Sequence, residues 1–269
     1  MLRILFLFVL ILIITSSTHK PQGSSKGYSA YIQKVLDSLH LNGTMVIWDG
    51  TSREVWSNNF KRAKTGFLPA STFKIPNSII GLETGIIISD TFTFHWDGKA
   101  RFNKIWEKDM QLREAFQISC VPCYQELARE IGPERMKSWL HQLKFGNMVV
   151  DSATIDMFWL EGNSRITPME EIDFMMRLVH QTLPLKPSTY QTMHEIMRMD
   201  DISDLNVYGK SGWAIQNYTD IGWFVGYVEK EGRYYYFATN VSPQDDFDMT
   251  QFPSIRRIIT YQVLRKVVR

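Results

Sequence analysis

The amino-acid sequence predicts a mixed α/β fold of the α+β sandwich type: one antiparallel sheet, flanking helices and an inserted helical lobe. Extended runs separated by turn residues occur at residues 43–59 and again at residues 206–241. Helical patterns fill most of the stretch between them, and a last helical pattern follows the second group of strands. The sheet is therefore expected to combine strands from both ends of the chain. With 269 residues, 44% of them apolar, the chain can form one large domain or two closely packed lobes.

The first predicted elements are a helix and a hairpin. Residues 27–39 place their apolar side chains at helical spacing, which gives this helix one apolar face. Two extended runs then flank Asp49-Gly50, a pair that favours a hairpin turn. The N-terminal part is thus expected to contribute one helix and two strands.

The later elements are bounded by clear start and stop signals. Helices are predicted at residues 109–117, 119–132, 133–143 and 167–181. Gly132 ends one of them, Pro133 begins the next, and Thr167-Pro168 opens the last. Strands are predicted at residues 206–216 and 222–241, with a turn at Glu231-Gly232, before a final helix at residues 253–267.

Residues 1–19 are predicted to be a secretory signal peptide with an approximate cleavage point, which leaves residues 20–269 as the mature domain. Arg3 gives a basic start, and the unbroken apolar run 4–14 would rise about 16 Å as a helix. That is too short for the roughly 30 Å hydrocarbon core of a bilayer, although an uncleaved anchor is the alternative. We therefore expect an exported, periplasmic protein without membrane association after cleavage.

Charge and motifs exclude several classes of function. The net charge is only +2 and basic residues are scattered, so no nucleic-acid partner is expected. The six histidines lack metal-ligand spacing, so neither a metal nor an organic cofactor is predicted. Residues 209–211 lack the earlier glycine of a phosphate-binding loop, since Asp204 stands there, and no G-x-S-x-G motif is present. The sequence leaves the oligomeric state open between a monomer and a homodimer.

Ser71 and Lys74, in the stretch PASTFKIPNSIIGLETG, are the first candidate catalytic pair. Residues three apart share one face of a helix, so the two side chains can touch. Burial lowers the pKa of a lysine, which can then act as the base that a serine nucleophile needs. Free backbone N–H groups at a helix start can stabilise an oxyanion. The alternative is a polar helix start in which Ser71 caps the helix and Lys74 reaches solvent.

Two later segments strengthen the case for chemistry. Lys210-Ser211-Gly212 lies in a predicted strand, where its lysine and serine can hold a substrate carboxylate. Gly212 lets a ligand lie against the strand because no side chain intervenes. Ser119 lies between the two motifs along the chain, at a predicted helix start. Ser-x-x-Lys, a middle serine motif and Lys-Ser/Thr-Gly in this order are the signature of serine β-lactamases and penicillin-binding proteins.

The sequence resembles the class D serine β-lactamases, the oxacillinase type, over essentially the whole mature chain. The resemblance is carried by STFKIPNSIIGLETG, WDGK, SCVP, FGN, FWLEG, KSGW and GWFVGYVEK, and it implies a β-lactamase/transpeptidase-like fold. The middle motif, residues 119–121, matches the Ser-x-Val pattern of class D, where a class A enzyme would show Ser-Asp-Asn. FGN and KSG depart mildly from the more frequent Tyr-Gly-Asn and Lys-Thr-Gly.

The resemblance implies a role for each matching residue. Ser71 would attack the β-lactam carbonyl, and Lys74, N-carboxylated by carbon dioxide to N6-carboxylysine, would be the general base for acylation and deacylation. Ser119 would pass a proton to the leaving nitrogen, and the backbone amides of Ser71 and Trp213 would form the oxyanion hole. The substrate would be held by Lys210, Ser211, Gly212, Trp213 and Arg256, with Arg257 as the alternative to Arg256. Trp159, Val121 and Leu160 would surround the carbamate.

Several alternatives remain at this stage. Cys120 and Cys123 are expected to be two buried free thiols, while a labile disulfide, or an exported thiol oxidoreductase with a C-x-x-C motif, is the alternative. The implied function is hydrolysis of β-lactams such as penicillins and oxacillin, which gives antibiotic resistance. A β-lactam-binding sensor domain or a cell-wall DD-peptidase would be acylated but would not turn over. The sequence lacks the multi-span membrane portion of such sensors, and FWLEG with Ser-x-Val argues against a peptidase.

Overall fold

The computed structural model describes residues 25–199 and 204–268. The predicted signal peptide, residues 1–19, lies outside the described residues, so its cleavage stays a prediction. Within the two described ranges, no helix combines the length and the apolar character needed to cross a membrane.

The described residues form helices and strands in the predicted order. The helices are α1 (Ser25–Ser38), α2 (Phe60–Ala63), α3 (Lys74–Glu83), α4 (Leu112–Gln117), α5 (Val121–Ile131), α6 (Pro133–Leu143), α7 (Pro168–Val179), α8 (Pro187–Met197) and α9 (Phe252–Val267). The strands are β1 (Leu41–Asp49), β2 (Val55–Ser57), β3 (Thr93–Phe94), β4 (Met110–Gln111), β5 (Asn206–Gln216), β6 (Thr219–Lys230) and β7 (Arg233–Pro243).

A five-stranded antiparallel sheet runs through the molecule in the order β2-β1-β7-β6-β5, and the short β3 and β4 form a separate pair. β1 pairs with β7 along its whole length, from Leu41↔Pro243 to Asp49↔Tyr235. This pairing joins strands from the two ends of the chain. The predicted sheet and the α+β sandwich are therefore confirmed.

The sheet separates two apolar cores. Successive residues of β1 point to opposite faces, so Val46 belongs to one core whereas Met45 and Ile47 belong to the other. Helices α1 and α9 cover one face and contact each other. On the opposite face, α7 packs against β1, β6 and β7. Helices α3, α4, α5, α6 and α8 contact one another and form the inserted helical lobe.

Local sequence signals explain where the central helices begin and end. Thr167 and Glu170 form a reciprocal capping box at the start of α7, which satisfies two backbone N–H groups. Between α5 and α6, Gly132 adopts φ +77°, a left-handed conformation that glycine takes without strain. Pro133 then occupies the first position of α6, where its missing N–H has no partner to lose.

Three details differ from the sequence prediction. The hairpin is present, but its loop covers residues 50–54 and is braced by the Asp49 carboxylate, which accepts N–H bonds from the loop. The helix predicted at 109–117 begins only at Leu112, because Met110 pairs with Phe94 in a short two-stranded sheet. Helix α8, which begins at Pro187, was not predicted from its weaker pattern.

Candidate active site

Ser71 lies in a tight backbone turn at the head of α3. Residues 70–73 form a 3₁₀ turn, and Lys74 is the first residue of α3. Ala70 has φ +53°, a conformation that costs a non-glycine residue of order 1 kcal/mol or more. Its N–H donates to the backbone oxygen of Trp159 at 2.9 Å, which helps to hold the strained turn. The backbone thereby presents Ser71 in one defined orientation.

Lys74 is placed as a base for that serine. Its Nζ lies 3.4 Å from Ser71 Oγ and 4.8 Å from the centre of the Tyr124 ring, and the side chain is only 1% exposed. Burial lowers the pKa of Lys74 to about 7, because the charged amine loses its hydration. A substantial fraction of Lys74 is therefore an unprotonated amine at neutral pH.

Trp159 contributes a buried N–H group that has no acceptor. Its ring is fully buried and stacks on Phe73, with centroids 5.2 Å apart and planes 15° from parallel. Among the described residues, Trp159 Nε1 has no hydrogen-bond partner. A buried donor without an acceptor is costly, so this N–H suits an anion formed close to it. The Trp159 ring stacks on Phe73, the residue before Lys74, and a carboxylated Lys74 would offer this donor an acceptor.

Ser119 and Lys210 meet across the cleft between the helical lobe and the sheet. Lys210 Nζ donates to Ser119 Oγ at 2.5 Å and to the backbone oxygen of Ser211 at 2.9 Å. Ser119 has φ +58°, a left-handed conformation that aims its hydroxyl out of the helix start. Burial, followed by the charges of Lys74, Arg256 and Arg257, holds the pKa of Lys210 well below its usual range.

Strand β5 runs directly beside the nucleophile turn. A Cβ atom on Gly212 would lie 3.2 Å from both Pro69 O and Ser71 N, which explains glycine at this position. The next residue, Trp213, is 39% exposed at the rim, and its Nε1 donates to Asp220 Oδ1 at 2.6 Å. The turn and the strand thus bring the backbone of Ser71 and the residues around Gly212 to one point.

Arg256 lies beside Trp213 at the rim of the site. Arg256 is buried, donates from Nη1 to the backbone oxygen of Phe252 at 2.9 Å, and lies 5.9 Å from the centre of the Trp213 ring. Its Nε has no hydrogen-bond partner among the described residues. Burial lowers the pKa of Arg256 to about 10, and Arg257 adds to this effect, yet Arg256 stays a cation at neutral pH. Arg257 is only half-buried.

Val121 and Leu160 each lie close to a candidate site residue along the chain. Val121 is the first residue of α5, two positions after Ser119, and Leu160 directly follows Trp159. Both are half-buried, and Leu160 packs against the apolar core. Each is therefore attached to a segment that carries a candidate catalytic or supporting residue.

The two cysteines are joined. Cys120 and Cys123 form a disulfide with a Cα–Cα distance of 5.5 Å, and Cys120 is the N-cap residue of α5. The expectation of two free thiols is therefore wrong. The physical reason is that a helix start places residues three apart on the same side, within the reach of a disulfide. The cross-link lies immediately after Ser119.

Sequence reasoning missed several polar residues packed around the pair. Ser78 bonds the Tyr124 hydroxyl at 2.8 Å and the backbone oxygen of Lys74 at 2.8 Å. Glu171 is fully buried and bonded to Thr72, the residue after the nucleophile. A signal for Glu171 exists in the sequence, because it lies at helical spacing from the apolar residues 174, 175 and 178.

The site can perform serine acyl transfer. Ser71, in its strained turn, can act as a nucleophile, and Lys74, a buried lysine with a lowered pKa, can act as its base. The Ser119–Lys210 pair can pass a proton, and the buried Arg256 can hold an anion. The fold and the site together define a serine acyl-transfer protein with the penicillin-binding, transpeptidase-like architecture. Residues 37–263 match the penicillin binding protein transpeptidase domain family.

Comparison with individual relatives and solved structures identifies the subgroup of this family. The chain is 37% identical over 224 residues to the β-lactamase OXA-48 of Klebsiella pneumoniae, covering 83% of each chain. It resembles the class D β-lactamase YbXI from Nostoc, with a TM-score of 0.83 and 37% identity, over 88% of this chain and 98% of that chain. The class D β-lactamase FUS-1 (OXA-85) of Fusobacterium nucleatum gives a TM-score of 0.82 at 36% identity, over 89% and 98%. The chain belongs to the class D serine β-lactamases.

Proposed function

We propose that this enzyme hydrolyses penicillins and oxacillin-type β-lactams through an acyl-enzyme on Ser71, with Lys74 N-carboxylated as the general base. The observation that carries the proposal is the 3.4 Å approach of Lys74 Nζ to Ser71 Oγ in a buried pocket. An unprotonated amine is the form that reacts with carbon dioxide, and burial provides it. No metal or organic cofactor is part of the proposal.

Acylation forms one bond and breaks one. Ser71 Oγ adds to the β-lactam carbonyl carbon while its proton passes to the base at Lys74, and the ring C–N bond then breaks. Ser119, linked to Lys210, delivers a proton to the leaving nitrogen. The backbone N–H groups of Ser71 and Trp213 stabilise the oxyanion.

Deacylation uses the same base a second time. Water adds to the acyl carbon and gives a proton to the base, the ester bond to Ser71 breaks, and the serine recovers its proton. When bound, carbon dioxide would supply an anionic oxygen base at Lys74. The indole N–H of Trp159, which has no hydrogen-bond partner among the described residues, would donate to that anion. Val121 and Leu160 limit the access of water to it.

The substrate carboxylate meets three donors. Lys210 and Ser211 lie on the strand that edges the pocket, and the Arg256 guanidinium lies behind Trp213. Charge-assisted hydrogen bonds of this kind fix the orientation of the β-lactam ring against Ser71.

The test is turnover of a chromogenic cephalosporin and of oxacillin by the mature chain, with and without bicarbonate, followed by intact mass. Sustained turnover that bicarbonate enhances supports the proposal, and Ser71→Ala is the inactive control. A stable adduct on Ser71 without turnover would support a sensor or a DD-peptidase instead. If the protein shows neither turnover nor a covalent adduct, the β-lactamase, the sensor and the DD-peptidase functions are all excluded.

We also propose that the chain is exported and confers resistance from the periplasm. The basic start and the short apolar run of residues 1–19 support export. Expression in a susceptible Gram-negative host should raise the inhibitory concentration of oxacillin, and the periplasmic protein should have lost about nineteen residues by mass. An intact N-terminus in the membrane fraction would contradict export.

A further inference from the structure

Helix α7 carries a carboxyl group directly behind the nucleophile turn. Glu171 is fully buried and lies on the apolar stripe of α7 with Phe174, Met175 and Leu178. Its Oε1 lies 2.7 Å from the hydroxyl of Thr72, the residue that follows Ser71. The proposed mechanism assigns no role to Glu171, although Glu171 contacts the residue next to the nucleophile.

The two short contacts of the Thr72 hydroxyl require a hydrogen from the Glu171 carboxyl group. Thr72 Oγ1 lies 2.8 Å from the backbone oxygen of Pro69 and 2.7 Å from Glu171 Oε1. A threonine hydroxyl has one hydrogen to donate, and a backbone carbonyl can only accept. If Thr72 donates to Pro69, the hydrogen in the second contact comes from the carboxyl group of Glu171. Both short contacts are satisfied together only when Glu171 is protonated.

The second oxygen of the carboxyl group supports this assignment. Among the described residues, Glu171 Oε2 has no hydrogen-bond partner. An ionised carboxylate would leave buried negative charge on this oxygen without a donor, which is far more costly than a neutral carbonyl oxygen. Burial raises the pKa of Glu171 to about 8, the Thr72 hydrogen bond opposes this, and the neighbouring Glu170 adds to it.

Several polar and charged groups on the surrounding elements are engaged elsewhere. Helix α7 packs against β1, β6, β7 and α2. On α2, the Arg62 guanidinium bonds Asn240 Oδ1 at 2.8 Å and Ser242 Oγ at 2.9 Å, both on β7. At the end of α7, His180 Nε2 bonds the Tyr236 hydroxyl at 3.0 Å, and Arg177 pairs with Asp173. Glu170 is the charged group that acts on the carboxyl, and it has the same sign.

We propose that Glu171 is kept as a neutral carboxylic acid that donates to Thr72 and thereby positions the nucleophile turn, and that its ionisation loosens this turn. Thr72 anchors the turn twice, because both its N–H and its hydroxyl donate to Pro69 O, at 3.2 and 2.8 Å. Glu171 is thus a positioning residue that acts through Thr72. The catalytic half of this inference rests on Ser71 as the nucleophile proposed above.

The first experiment measures folding and needs no activity. Reversible unfolding is followed between pH 5.5 and 9 for the wild type, Glu171→Gln and the control Glu170→Gln. In the unfolded chain Glu171 ionises near its ordinary value of 4.5, so the native state holds one extra proton up to about pH 8. Up to about pH 8, the folding equilibrium constant of the wild type should fall about tenfold per pH unit relative to that of Glu171→Gln. Above about pH 8, the two constants should depend on pH in the same way. Glu170→Gln removes an exposed charge that raises the pKa of Glu171, so it should keep the tenfold slope but end it at a somewhat lower pH than the wild type.

Parallel curves for the wild type and Glu171→Gln throughout this range would overturn the proposal. Should Glu171→Gln fail to fold, infrared spectroscopy of the wild type replaces it. The carbonyl band of a protonated acid should be present at pH 6.5 and disappear on titration through about pH 8. A spectrum with ionised carboxylates alone at pH 6.5 would overturn the proposal equally.

The second experiment measures the rate of acylation. The second-order rate constant for acylation, followed by stopped flow and intact mass, is compared over pH 7 to 10. The wild type and Glu170→Gln should lose about tenfold per pH unit above pH 8, relative to Glu171→Gln. If the acylation rate constants of all three proteins depend on pH identically above pH 8, the positioning role is refuted. Absence of acylation in all three would refute the nucleophile instead, and the unfolding result would still decide the protonation of Glu171.

Discussion

Lys210 Nζ and Ser119 Oγ lie 2.5 Å apart although 91 residues separate them along the chain. Lys210 belongs to β5 of the sheet, and Ser119 lies two residues before α5 in the helical lobe. Their contact joins the helical lobe to the sheet through one hydrogen bond. In the proposed mechanism this link supplies the proton that the leaving nitrogen of the substrate receives.

Removal of the Ser119 hydroxyl should slow acylation. Ser119→Ala is expected to lower kcat/KM for a chromogenic cephalosporin by about 10²-fold or more, because a positioned proton donor is lost. The melting temperature should change little, since Ser119 is only half-buried. Ser188→Ala, an exposed serine on α8, is the matched control. A kcat/KM within twofold of the wild type would remove Ser119 from the mechanism.

Loss of the Trp159 N–H should make turnover depend on bicarbonate. Trp159→Phe keeps an aromatic ring against Phe73 but removes the donor that the proposed carbamate on Lys74 would need. We expect a kcat reduced about tenfold or more in bicarbonate-free buffer and largely restored by saturating bicarbonate. Trp56→Phe, which alters a buried tryptophan of the other core, should show no such rescue. Equal bicarbonate dependence in both variants would contradict the role of the indole.

Turnover should fall on the acid side as Lys74 becomes protonated. The pKa of Lys74 is lowered to about 7 by burial, so the amine is mostly neutral above this pH and mostly charged below it. Because a charged amine cannot carry the carboxylate, kcat should decrease with falling pH, approaching tenfold per unit well below pH 7. Measurement of kcat between pH 5 and 8 at fixed dissolved carbon dioxide tests this. A flat profile down to pH 5 would contradict the mechanism.

A methyl group on Gly212 should disturb acylation more than folding. In Gly212→Ala the new Cβ would lie 3.2 Å from Ser71 N and 3.3 Å from Thr72 N, so β5 must retreat from the turn by a few tenths of an ångström. We expect the acylation rate constant to fall about 10- to 100-fold, because the reacting atoms are misplaced. Circular dichroism and the melting temperature control for folding. An unchanged acylation rate would show that acylation does not require the close packing of Gly212 against the backbone of Ser71 and Thr72.

The disulfide is tested by counting thiols. Denatured but unreduced protein should react with no thiol reagent, and reduction should expose both Cys120 and Cys123. Export to an oxidising compartment is consistent with this state. Two reactive thiols before reduction would contradict the cross-link.

Local patterns in the sequence were sufficient for most elements of the fold. Strand β5 occupies the predicted residues 206–216, and α6 occupies the predicted residues 133–143, because turn and capping residues mark their ends. The spacing of Ser71 and Lys74 predicted that they can touch, and the later motifs at Ser119 and Lys210-Ser211-Gly212 were needed to favour chemistry over a polar helix start. Local patterns do not reveal pairing with a distant strand. The sequence therefore predicted a helix at Met110, whereas Met110, in β4, pairs with Phe94.

Only the tertiary structure decided which polar groups lose their water. The burial of Arg256 beside Trp213 depends on how α9 packs against the sheet. The proton on Glu171 and the lowered pKa of Lys74 depend on burial by elements far apart in the chain. Periodicity and capping act over a few residues, so a sequence reveals them directly. Desolvation and the pairing of Lys210 with Ser119 arise only when the sheet and the helical lobe close on each other.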